Sequence, residues 1–377
     1  MTASPAAALP TSTEPAAAVS DLAAVSDLAT SPAAISRLAE AIIAGHETTA
    51  AEGRALLDIA AGSPAMGALL AGAQRLRQHF VGSGVRCCSI LNVKAGNCSE
   101  NCSYCAQASG SANADYDRHK WLPEADIAAA TTSAAANGAQ ALGLVAAWWG
   151  VKEGAQLDMV CDAIEKFSDN GKVRADVNLG ILENQHCADR IARAGAKVYG
   201  HNLETARSFF DEICTTHSFA ERMQTIGFIK QAGMGLCSGG IVGMGETKAQ
   251  RIEFAEQIRF IEPDMVPINF LNPLKGTKLG DKPVLDPDEA LITLAVFRFM
   301  LPDRNLMAAG GKEVVLGERI HEVFAAGVNA VMVGNYLTTL GTPPDYWKTA
   351  AARHGLCLAD RVEQVEEQAG GGDGGCR

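Results

Sequence analysis

The chain has 377 residues, of which 47% are apolar and 20% are charged, and its formal net charge is −11 at pH 7. The acidic balance argues against a nucleic-acid-binding protein, which needs a basic patch. No apolar run reaches the roughly 18 residues of a membrane span, and the N-terminus lacks the regions of a secretory signal. We therefore expect a cytoplasmic protein of one large or two ordinary domains, with no nucleic-acid or membrane partner.

The N-terminal part of the chain divides into two segments of different composition. Residues 1–34 are rich in Ala, Ser, Thr and Pro, and the hexapeptide AVSDLA occurs twice, at 18–23 and 24–29. This segment has too few large apolar side chains to offset the entropy of ordering. We therefore predict a disordered or loosely helical extension here. Residues 35–80 have a helical spacing of apolar residues and are predicted to form an N-terminal helical segment.

Eight short strand-like runs follow, separated mostly by stretches of helix length. The predicted strands cover about 85–93, 139–146, 173–179, 195–200, 234–239, 265–270, 304–309 and 329–333. Alternating strands and helices indicate a parallel sheet, and eight such units predict an α/β fold of the (βα)8 TIM-barrel type over residues 81–345. An open doubly wound sheet is the structural alternative. The barrel is favoured because polar or glycine-rich segments follow the strands, where barrel enzymes carry their chemistry.

The C-terminal part of the chain lies beyond the predicted barrel. Residues 346–377 are predicted to form a C-terminal helix and a flexible glycine-rich tail, which ends in Cys376 next to the last residue.

A cysteine-rich loop follows the first predicted strand. It reads KAGNCSENCSYC over residues 94–105, so that Cys98, Cys102 and Cys105 have C-x3-C-x2-C spacing. Thiolates are the usual protein ligands of iron–sulfur clusters, and three of them leave one iron of a 4Fe–4S cluster open. An open iron can chelate the amino and carboxylate groups of S-adenosylmethionine. A zinc knuckle is the alternative, but it needs four ligands and the sequence offers only His119 nearby.

Two further loops have the composition of a nucleotide-binding site. The segment CSGGIVGMGET begins at Cys237, and its glycines allow a ligand to approach the backbone closely, although it also fits an ordinary strand–turn–helix connection. In the segment HNLET, Glu204 is suited to bond ribose hydroxyls, while Asn202 and Thr205 also fit a helix N-cap.

These segments together resemble the biotin synthase family of radical S-adenosylmethionine enzymes. The matching segments are CSENCSYCAQ (98–107), YGHNLET (199–205), TTHSFAER (215–222), CSGGIVGMGET (237–247), PINFLNPLKGT (267–277) and NYLTT (335–339). The resemblance covers about residues 85–345. It implies a radical S-adenosylmethionine barrel, usually a homodimer, that uses a 5′-deoxyadenosyl radical to insert sulfur into dethiobiotin. An electron donor such as flavodoxin or ferredoxin is implied as a partner.

The resemblance also assigns site residues, position by position. Those implied for S-adenosylmethionine are Tyr104, Asn202, Glu204 and Arg222, with backbone at Ala146 and Ile241. Those implied for the substrate are Lys94, Asn202 and Asn269 around the ureido ring, and Thr338 and Thr339 near the carboxylate. Asparagine amides and a lysine ammonium supply the donors and acceptors that a ureido group needs. Without the resemblance, Arg222 would be interpreted as part of a solvated helix surface.

The ligands of a second cluster depart from the family pattern. Typical members hold a sulfur-donating 2Fe–2S cluster on three cysteines and an arginine from four strands. Only Cys237 matches here, and the other three positions fall at Gly143, Asp176 and Gly311. We therefore expect an auxiliary cluster of uncertain type on Cys237 and on cysteines outside the common set, namely Cys87, Cys88 and Cys376. Adjacent strand residues point to opposite faces, so only one of Cys87 and Cys88 is expected to face inward.

Two other functions compete with sulfur insertion. Sister enzymes of the hydrogenase-maturation or methylornithine-forming type share the barrel and make no C–S bond. The missing auxiliary ligands favour such an enzyme, whereas Asn269 and the threonine pair favour the biotin synthase family. A non-enzymatic iron–sulfur or zinc scaffold is the third hypothesis, and it predicts no cleavage of S-adenosylmethionine.

Overall fold

Eight parallel strands close into a barrel in the computed structural model, which describes residues 24–113, 115–169, 171–334, 339 and 341–359. The barrel strands are β1 (Gly84–Lys94), β2 (Ala141–Ala146), β3 (Arg174–Asn178), β4 (Val198–Gly200), β5 (Gly235–Cys237), β6 (Met265–Phe270), β7 (Asn305–Ala308) and β8 (Ala330–Met332). Each strand pairs with the next, and β8 pairs with β1 through Cys87 and its neighbours. This closure confirms the predicted barrel and excludes the open sheet.

Helices connect the strands and cover the outside of the barrel. They are α1 (Pro32–Ile43), α2 (Ala50–Leu57), α3 (Pro64–Phe80), α4 (Glu124–Ala136), α5 (Ala155–Asp169), α6 (Gln185–Arg193), α7 (Arg207–Ile213), α8 (Phe219–Gln231), α9 (Lys248–Ile261), α10 (Pro287–Met300), α11 (Lys312–Leu316) and α12 (Pro344–Arg353). Short strands at Gly150–Val151 and Ile181–Leu182 pair with each other, Gly240–Val242 pairs with β6, and Cys357–Leu358 pairs with β1. A helix both long enough and apolar enough to cross a membrane is not found among the described residues.

Helical structure begins nearer the N-terminus than the composition of this segment predicts. Residues 25–29 form a 3-10 helix, and α1 begins at Pro32, where the Ser31 hydroxyl accepts a hydrogen bond from the amide of Ala34. Residues 25–34 are therefore ordered, and Leu28 and Ala34 are buried against the apolar face of this segment. Residues 1–23 of the predicted extension lie outside the described residues.

Helices α1–α3 form a layer outside the barrel. Helix α3 packs on α1 and on α10, and every residue of α10 from Ala290 to Met300 is buried. Because α10 lies between the barrel and this layer, it needs no polar face. Its one buried cation, Arg298, donates to the carbonyl oxygens of Gly327, Pro302 and Arg304 and to the side chain of Asn329.

The barrel interior carries charged and polar side chains among apolar ones, whereas the outer faces of the strands are apolar. On β3, Ala175 and Val177 are buried under the helices, while Arg174, Asp176 and Asn178 face inward. This alternation follows from the period of two in a strand. The interior of the barrel is therefore not filled by apolar layers, and it encloses a cavity of about 1220 Å³.

Candidate active site

The cavity brings together most of the residues that the sequence predicted for the site. Those that line it are Cys88, Cys98, Cys102, Tyr104, Cys105, Ala146, Asn202, Glu204, Arg222, Cys237, Ile241 and Asn269. Lys94 and Cys87 are not among the lining residues. Thr339 is half-buried, whereas Thr338 and Cys376 lie outside the described residues.

The loop that carries the three cysteines is held by its own backbone and by a neighbouring loop. The chain turns at Gly96 and Asn97, whose φ angles are 76° and 52°, and the buried Gln107 side chain accepts a hydrogen bond from the Gly96 amide at 2.8 Å. Ser103 donates from its amide and its hydroxyl to the carbonyl oxygen of Ile213, at 2.9 and 3.0 Å. The loop therefore has a fixed shape before any cluster binds.

The environment of these thiols suits metal ligation. Burial raises the pKa of Cys105 to about 11 and raises the pKa of Cys98 above its ordinary value. A buried thiol with a raised pKa keeps its proton unless a cation replaces it, and iron is such a cation. Three thiols that line a cavity of this size therefore fit a 4Fe–4S cluster with an open iron.

A buried polar cluster lies directly behind the cysteine loop. The Cys214 sulfur is 3.8 Å from the Cys102 sulfur and 3.4 Å from Nδ1 of His217, and that ring nitrogen also contacts the Glu100 carboxylate. The ligand atoms of Glu100, Cys214 and His217 are close enough together to hold a metal ion. The sequence analysis assigned no role to Cys214. The adjoining segment TTHSFAER was the signal that could have revealed it, because that segment matched the family motif.

The residues implied for S-adenosylmethionine form a connected group. The Arg222 guanidinium lies 3.7 Å from the Glu204 carboxylate, donates to the carbonyl oxygen of Asn202 at 2.8 Å, and lies over the Phe210 ring. Burial raises the pKa of Glu204, although the Arg222 charge opposes the shift. Nε of Arg222 and Nε2 of His201 are buried and have no hydrogen-bond partner among the described residues.

The glycine-rich loop is a rigid wall of this site. The Glu246 carboxylate accepts hydrogen bonds from the amides of Gly243, Met244 and Gly245 and from the Arg251 guanidinium. A Cβ atom at Gly239 would lie 1.9 Å from the Pro267 carbonyl oxygen. The glycines are therefore required for packing against the neighbouring strand as well as for the approach of a ligand.

The backbone of Glu204 joins the wall to the rest of the site. Its amide donates to the carbonyl oxygen of Gly239 at 3.1 Å, and its carbonyl oxygen accepts from the amide of Ile241 at 2.8 Å. Glu204 itself adopts a φ of 70°, in the left-handed region. The glycine-rich loop therefore holds the backbone of Glu204 in place, and with it the Glu204 carboxylate.

Two residues predicted for the ureido ring already have partners in the protein. The Lys94 ammonium donates to the carbonyl oxygens of Gly96 and Ala147, at 2.9 and 2.6 Å, and thereby ties the cysteine loop to β2. The Asn269 amide donates to the carbonyl oxygen of Gly240 at 3.1 Å and accepts from the Gly310 amide at 2.8 Å. Asn269 still has one N–H and one lone pair free for a ligand in the cavity.

The half of the cavity farther from the cysteine loop holds thiols and charged side chains. Cys88 and Cys237 face inward near the methionines Met265, Met307 and Met332. Burial raises the pKa of Cys88 to about 11 and raises the pKa of Cys237 further. Cys87 points the opposite way into the apolar core and is 2% exposed. The prediction that Cys87 is a cluster ligand was therefore wrong, because regular pleating sends only Cys88 inward.

The structure also shows what occupies the positions of the usual auxiliary ligands. Gly143 lacks a side chain, and Asp176 is held by two hydrogen bonds of 2.8 Å from Arg174. A Cβ at Gly311 would lie 1.9 Å from the Phe270 carbonyl oxygen, so that position has no room for an arginine. Met307, on the strand β7 that leads to Gly311, faces the cavity.

Comparisons with known proteins agree with this geometry. The Radical SAM superfamily model matches residues 93–258, and the model of the Biotin and Thiamin Synthesis associated domain matches residues 267–357. The chain is 40% identical to a biotin synthase of Geobacter metallireducens over 309 residues, covering 82% of this chain and 92% of the relative. It is 42% identical to a biotin synthase of Pelobacter propionicus over 277 residues, covering 74% and 84%.

Solved structures show the same fold at low sequence identity. Methylornithine synthase superposes with a TM-score of 0.72 at 18% identity, covering 86% of this chain and 97% of that one. HydG, a maturase of the [FeFe]-hydrogenase, superposes with a TM-score of 0.72 at 16% identity, covering 87% and 75%. At such identities the likeness concerns the fold alone.

Proposed function

Because the chain belongs to the biotin synthase family, we propose that it is a radical S-adenosylmethionine enzyme that inserts sulfur into dethiobiotin to form biotin. The observation that carries this proposal is the convergence of three cluster thiols, the Glu204–Arg222 pair and Asn269 on one cavity. A sister enzyme without sulfur insertion is the less favoured candidate, because the enzymes of that type share the fold at less than half the sequence identity of the biotin synthases.

The radical centre would be held by Cys98, Cys102 and Cys105, which line the upper part of the cavity. When bound there, the cluster supplies the electron that cleaves S-adenosylmethionine. Arg222 presents a guanidinium suited to the carboxylate of S-adenosylmethionine, and the neighbouring Glu204 presents a buried carboxylate suited to its amino group or ribose hydroxyls. The glycine-rich wall shapes the site beside the adenosine.

Substrate binding would use amides at the barrel centre. The free N–H and lone pair of Asn269, together with Asn202, offer both a donor and an acceptor to the ureido group of dethiobiotin. The Asn202 side chain accepts from the Gly239 amide at 3.1 Å, which fixes its orientation. Lys94 would support the substrate site indirectly, through the backbone carbonyl groups to which it donates. Thr338 and Thr339 remain proposals for the substrate carboxylate.

The sulfur would come from an auxiliary iron–sulfur cluster in the half of the cavity farther from the cysteine loop. Cys88 and Cys237 offer two inward thiols on β1 and β5, and Cys376 of the C-terminal tail is our proposal for a third. Thiolates in a barrel interior, beside the Arg174 and Arg86 guanidinium groups, suit an anionic cluster. This arrangement replaces the three missing family ligands.

The physiological setting follows from the chemistry. A cluster that delivers single electrons needs a low-potential protein donor such as flavodoxin or ferredoxin. Free thiolate ligands persist in a reducing compartment, so we place the enzyme in the cytoplasm. We also propose a homodimer, which is the usual state in the family.

One assay tests the proposed function. Anaerobically reconstituted protein, incubated with dethiobiotin, reductant and S-adenosylmethionine, should release 5′-deoxyadenosine and biotin, both measured by mass spectrometry. A Cys98→Ala variant is the control and should release neither product. If dethiobiotin neither binds nor stimulates cleavage in the wild type, the biotin synthase function is excluded and the sister-enzyme function gains.

A further inference from the structure

The cavity also reaches the amino-terminal end of the barrel, opposite the radical centre. Its lining there consists of Ser168, Gly171, Lys197, Gly235, Asp264 and Asn305. Gly171, Lys197 and Asp264 are exposed to solvent. In a barrel of this type, layers of large branched side chains normally fill the interior. Here the interior is open at this end, and the exposed lining residues mark a second mouth, which we call the lower mouth.

An arginine without a partner lies inside this lower mouth. Arg86 lies on β1 two residues before Cys88 and lines the cavity with it. Among the described residues, no hydrogen bond or ion pair to its guanidinium group is present, in contrast to Arg174, which is paired with Asp176 through two bonds. A guanidinium group stays charged in proteins, so Arg86 is an unmatched positive charge beside the inward thiols.

The other charges of the lower mouth do not cancel that of Arg86. Arg174 and Asp176 neutralise each other, and the rim carries Lys197 and Asp264, one of each sign. Asp264 accepts a hydrogen bond from the amide of Leu236 at 2.8 Å, which leaves its negative charge in place. Lys197 therefore balances Asp264, and Arg86 remains as the excess charge. The interior at Cys88 therefore carries a net positive charge, and this favours a small anion over a cation.

The reaction itself identifies which anion is needed. Each biotin formed removes one sulfur atom from the enzyme, so further turnovers require a sulfur supply. In the proposed function, S-adenosylmethionine and dethiobiotin occupy the opposite end of the cavity, beside the three cluster cysteines. Hydrosulfide is a small monoanion at neutral pH, and it binds iron.

We propose that the lower mouth is an entry and binding site for hydrosulfide, held by Arg86 beside Cys88 and Cys237. The use of this sulfur in catalysis rests on the proposed function, whereas the anion-selective route to the two thiols does not. Gly235 lines this mouth, and a Cβ there would lie 3.0 Å from the Val198 side chain, so a larger side chain would narrow the opening.

Charged thiol reagents test the route in the full-length protein without clusters. A methanethiosulfonate forms a mixed disulfide with a cysteine thiolate and releases a sulfinate, so an anionic ethylsulfonate and a cationic trimethylammonium reagent report access by charge. Mass spectrometry then gives the labelling rates of Cys88 and Cys237, each divided by the rate of the same reagent with free cysteine. We expect the anionic reagent to be favoured about tenfold or more in the wild type.

Four variants decide the proposal. Arg86→Met should abolish the preference for the anionic reagent, and Arg86→Lys should keep it. Gly235→Phe should slow both reagents, whereas Gly235→Ala should leave most of the access open. Circular dichroism and thermal melting show whether each variant is folded. If Arg86→Met is not folded, Arg86→Lys still tests the proposal.

The reconstituted enzyme supplies a second readout. The two electrons that each sulfide leaves on the auxiliary irons as two C–S bonds form must return to the flavodoxin or ferredoxin that drives cleavage of S-adenosylmethionine. With this donor protein and hydrosulfide added, the wild type should make more than one biotin per chain, and Gly235→Phe should make the first biotin but not later ones. Labelling without charge preference, or labelling unchanged by Gly235→Phe, would overturn the proposal. Charge-selective labelling in a protein that makes no biotin would keep the anion site and exclude the proposed function instead.

Discussion

Two neighbouring cysteines show that residue type alone does not determine the role of a side chain. Cys102 and Cys214 have sulfur atoms only 3.8 Å apart, yet only Cys102 belongs to the C-x3-C-x2-C motif. Cys214 is also engaged by Thr216 and His217, which hold it behind the loop. We therefore interpret Cys214 as a group that supports the cluster loop and not as a ligand.

Replacing these two cysteines separately tests that interpretation. Cys102→Ala should lose the visible absorption of the 4Fe–4S cluster and the release of 5′-deoxyadenosine, because one iron loses its thiolate. Cys214→Ala should keep the cluster absorption and measurable cleavage. Anaerobic reconstitution followed by absorption spectroscopy and product analysis measures both. Equal loss of the cluster in the two variants would instead make Cys214 a ligand.

Asn269 has a structural and a binding role, and a single substitution affects both. Asn269→Ala removes the bonds to Gly240 and Gly310 and leaves the substrate amide without its partner. Losing a bond to a buried polar group costs roughly 1–3 kcal/mol. Calorimetric titration should therefore show dethiobiotin bound about tenfold more weakly or worse, on the same estimate of lost hydrogen-bond energy.

The control for this prediction is the free energy of unfolding of the same variant, measured in urea. A stability loss alone, with an unchanged dissociation constant for dethiobiotin, would assign Asn269 to the fold and remove it from the substrate site. Cleavage of S-adenosylmethionine without substrate should persist in Asn269→Ala, because the residue does not contact the three cluster thiols.

At the scale of elements, helix α3 shows how packing decides the effect of a residue. Gly72 and Gly67 lie in the same helix, but a Cβ at Gly72 would lie 2.6 Å from the ring of Phe299, whereas nothing lies within 4 Å of a Cβ at Gly67. Gly72 therefore allows α3 to pack closely on α10, while Gly67 only weakens the helix.

The two glycines predict opposite effects of the same substitution. Gly72→Ala should destabilise the protein by about 1–3 kcal/mol, because the added methyl group overpacks the contact with Phe299. Gly67→Ala should stabilise it by about 0.5–1 kcal/mol, because alanine is the better helix former. Urea denaturation measures both. A Gly72→Ala variant as stable as Gly67→Ala would mean that α3 and α10 separate easily.

At the scale of the whole molecule, closure of the barrel brings β1 and β5 to opposite sides of one cavity. Cys88 and Cys237 are 149 positions apart in the sequence (237 − 88) and line the same interior. This placement makes a second cluster a property of the closed barrel and not of any one loop.

Iron content tests the second cluster. The wild type should hold clearly more than about four irons per chain, the number that the cubane alone accounts for. Replacing Cys88, Cys237 and Cys376 together should return the count to about four while 5′-deoxyadenosine is still formed, on the same cubane stoichiometry. Cys87→Ala is the matched control and should keep the wild-type count. A wild type with only four irons that still makes biotin would point to an external sulfur donor.

The sequence alone determined the barrel, the radical-cluster loop and the family. Strand and helix periodicity are local, so alternating elements predicted the eight strands, and C-x3-C-x2-C is a contiguous pattern that any fold must keep together. The short motifs at the strand ends were also local, and barrel closure brought Asn202, Glu204 and Arg222 to one cavity as the resemblance implied.

Only the tertiary structure decided the rest, because those features depend on pairs of residues that are distant in sequence. The pleat of β1 beside β2 and β8 sends Cys88 inward and Cys87 outward, and no composition rule chooses between them. Likewise, Cys214 lies behind Cys102 only because two loops meet, and the hydrogen bonds of Lys94 depend on how the cysteine loop folds over β2. Contacts across a closed barrel are set by strand register, and register is fixed by the packing of the whole sheet.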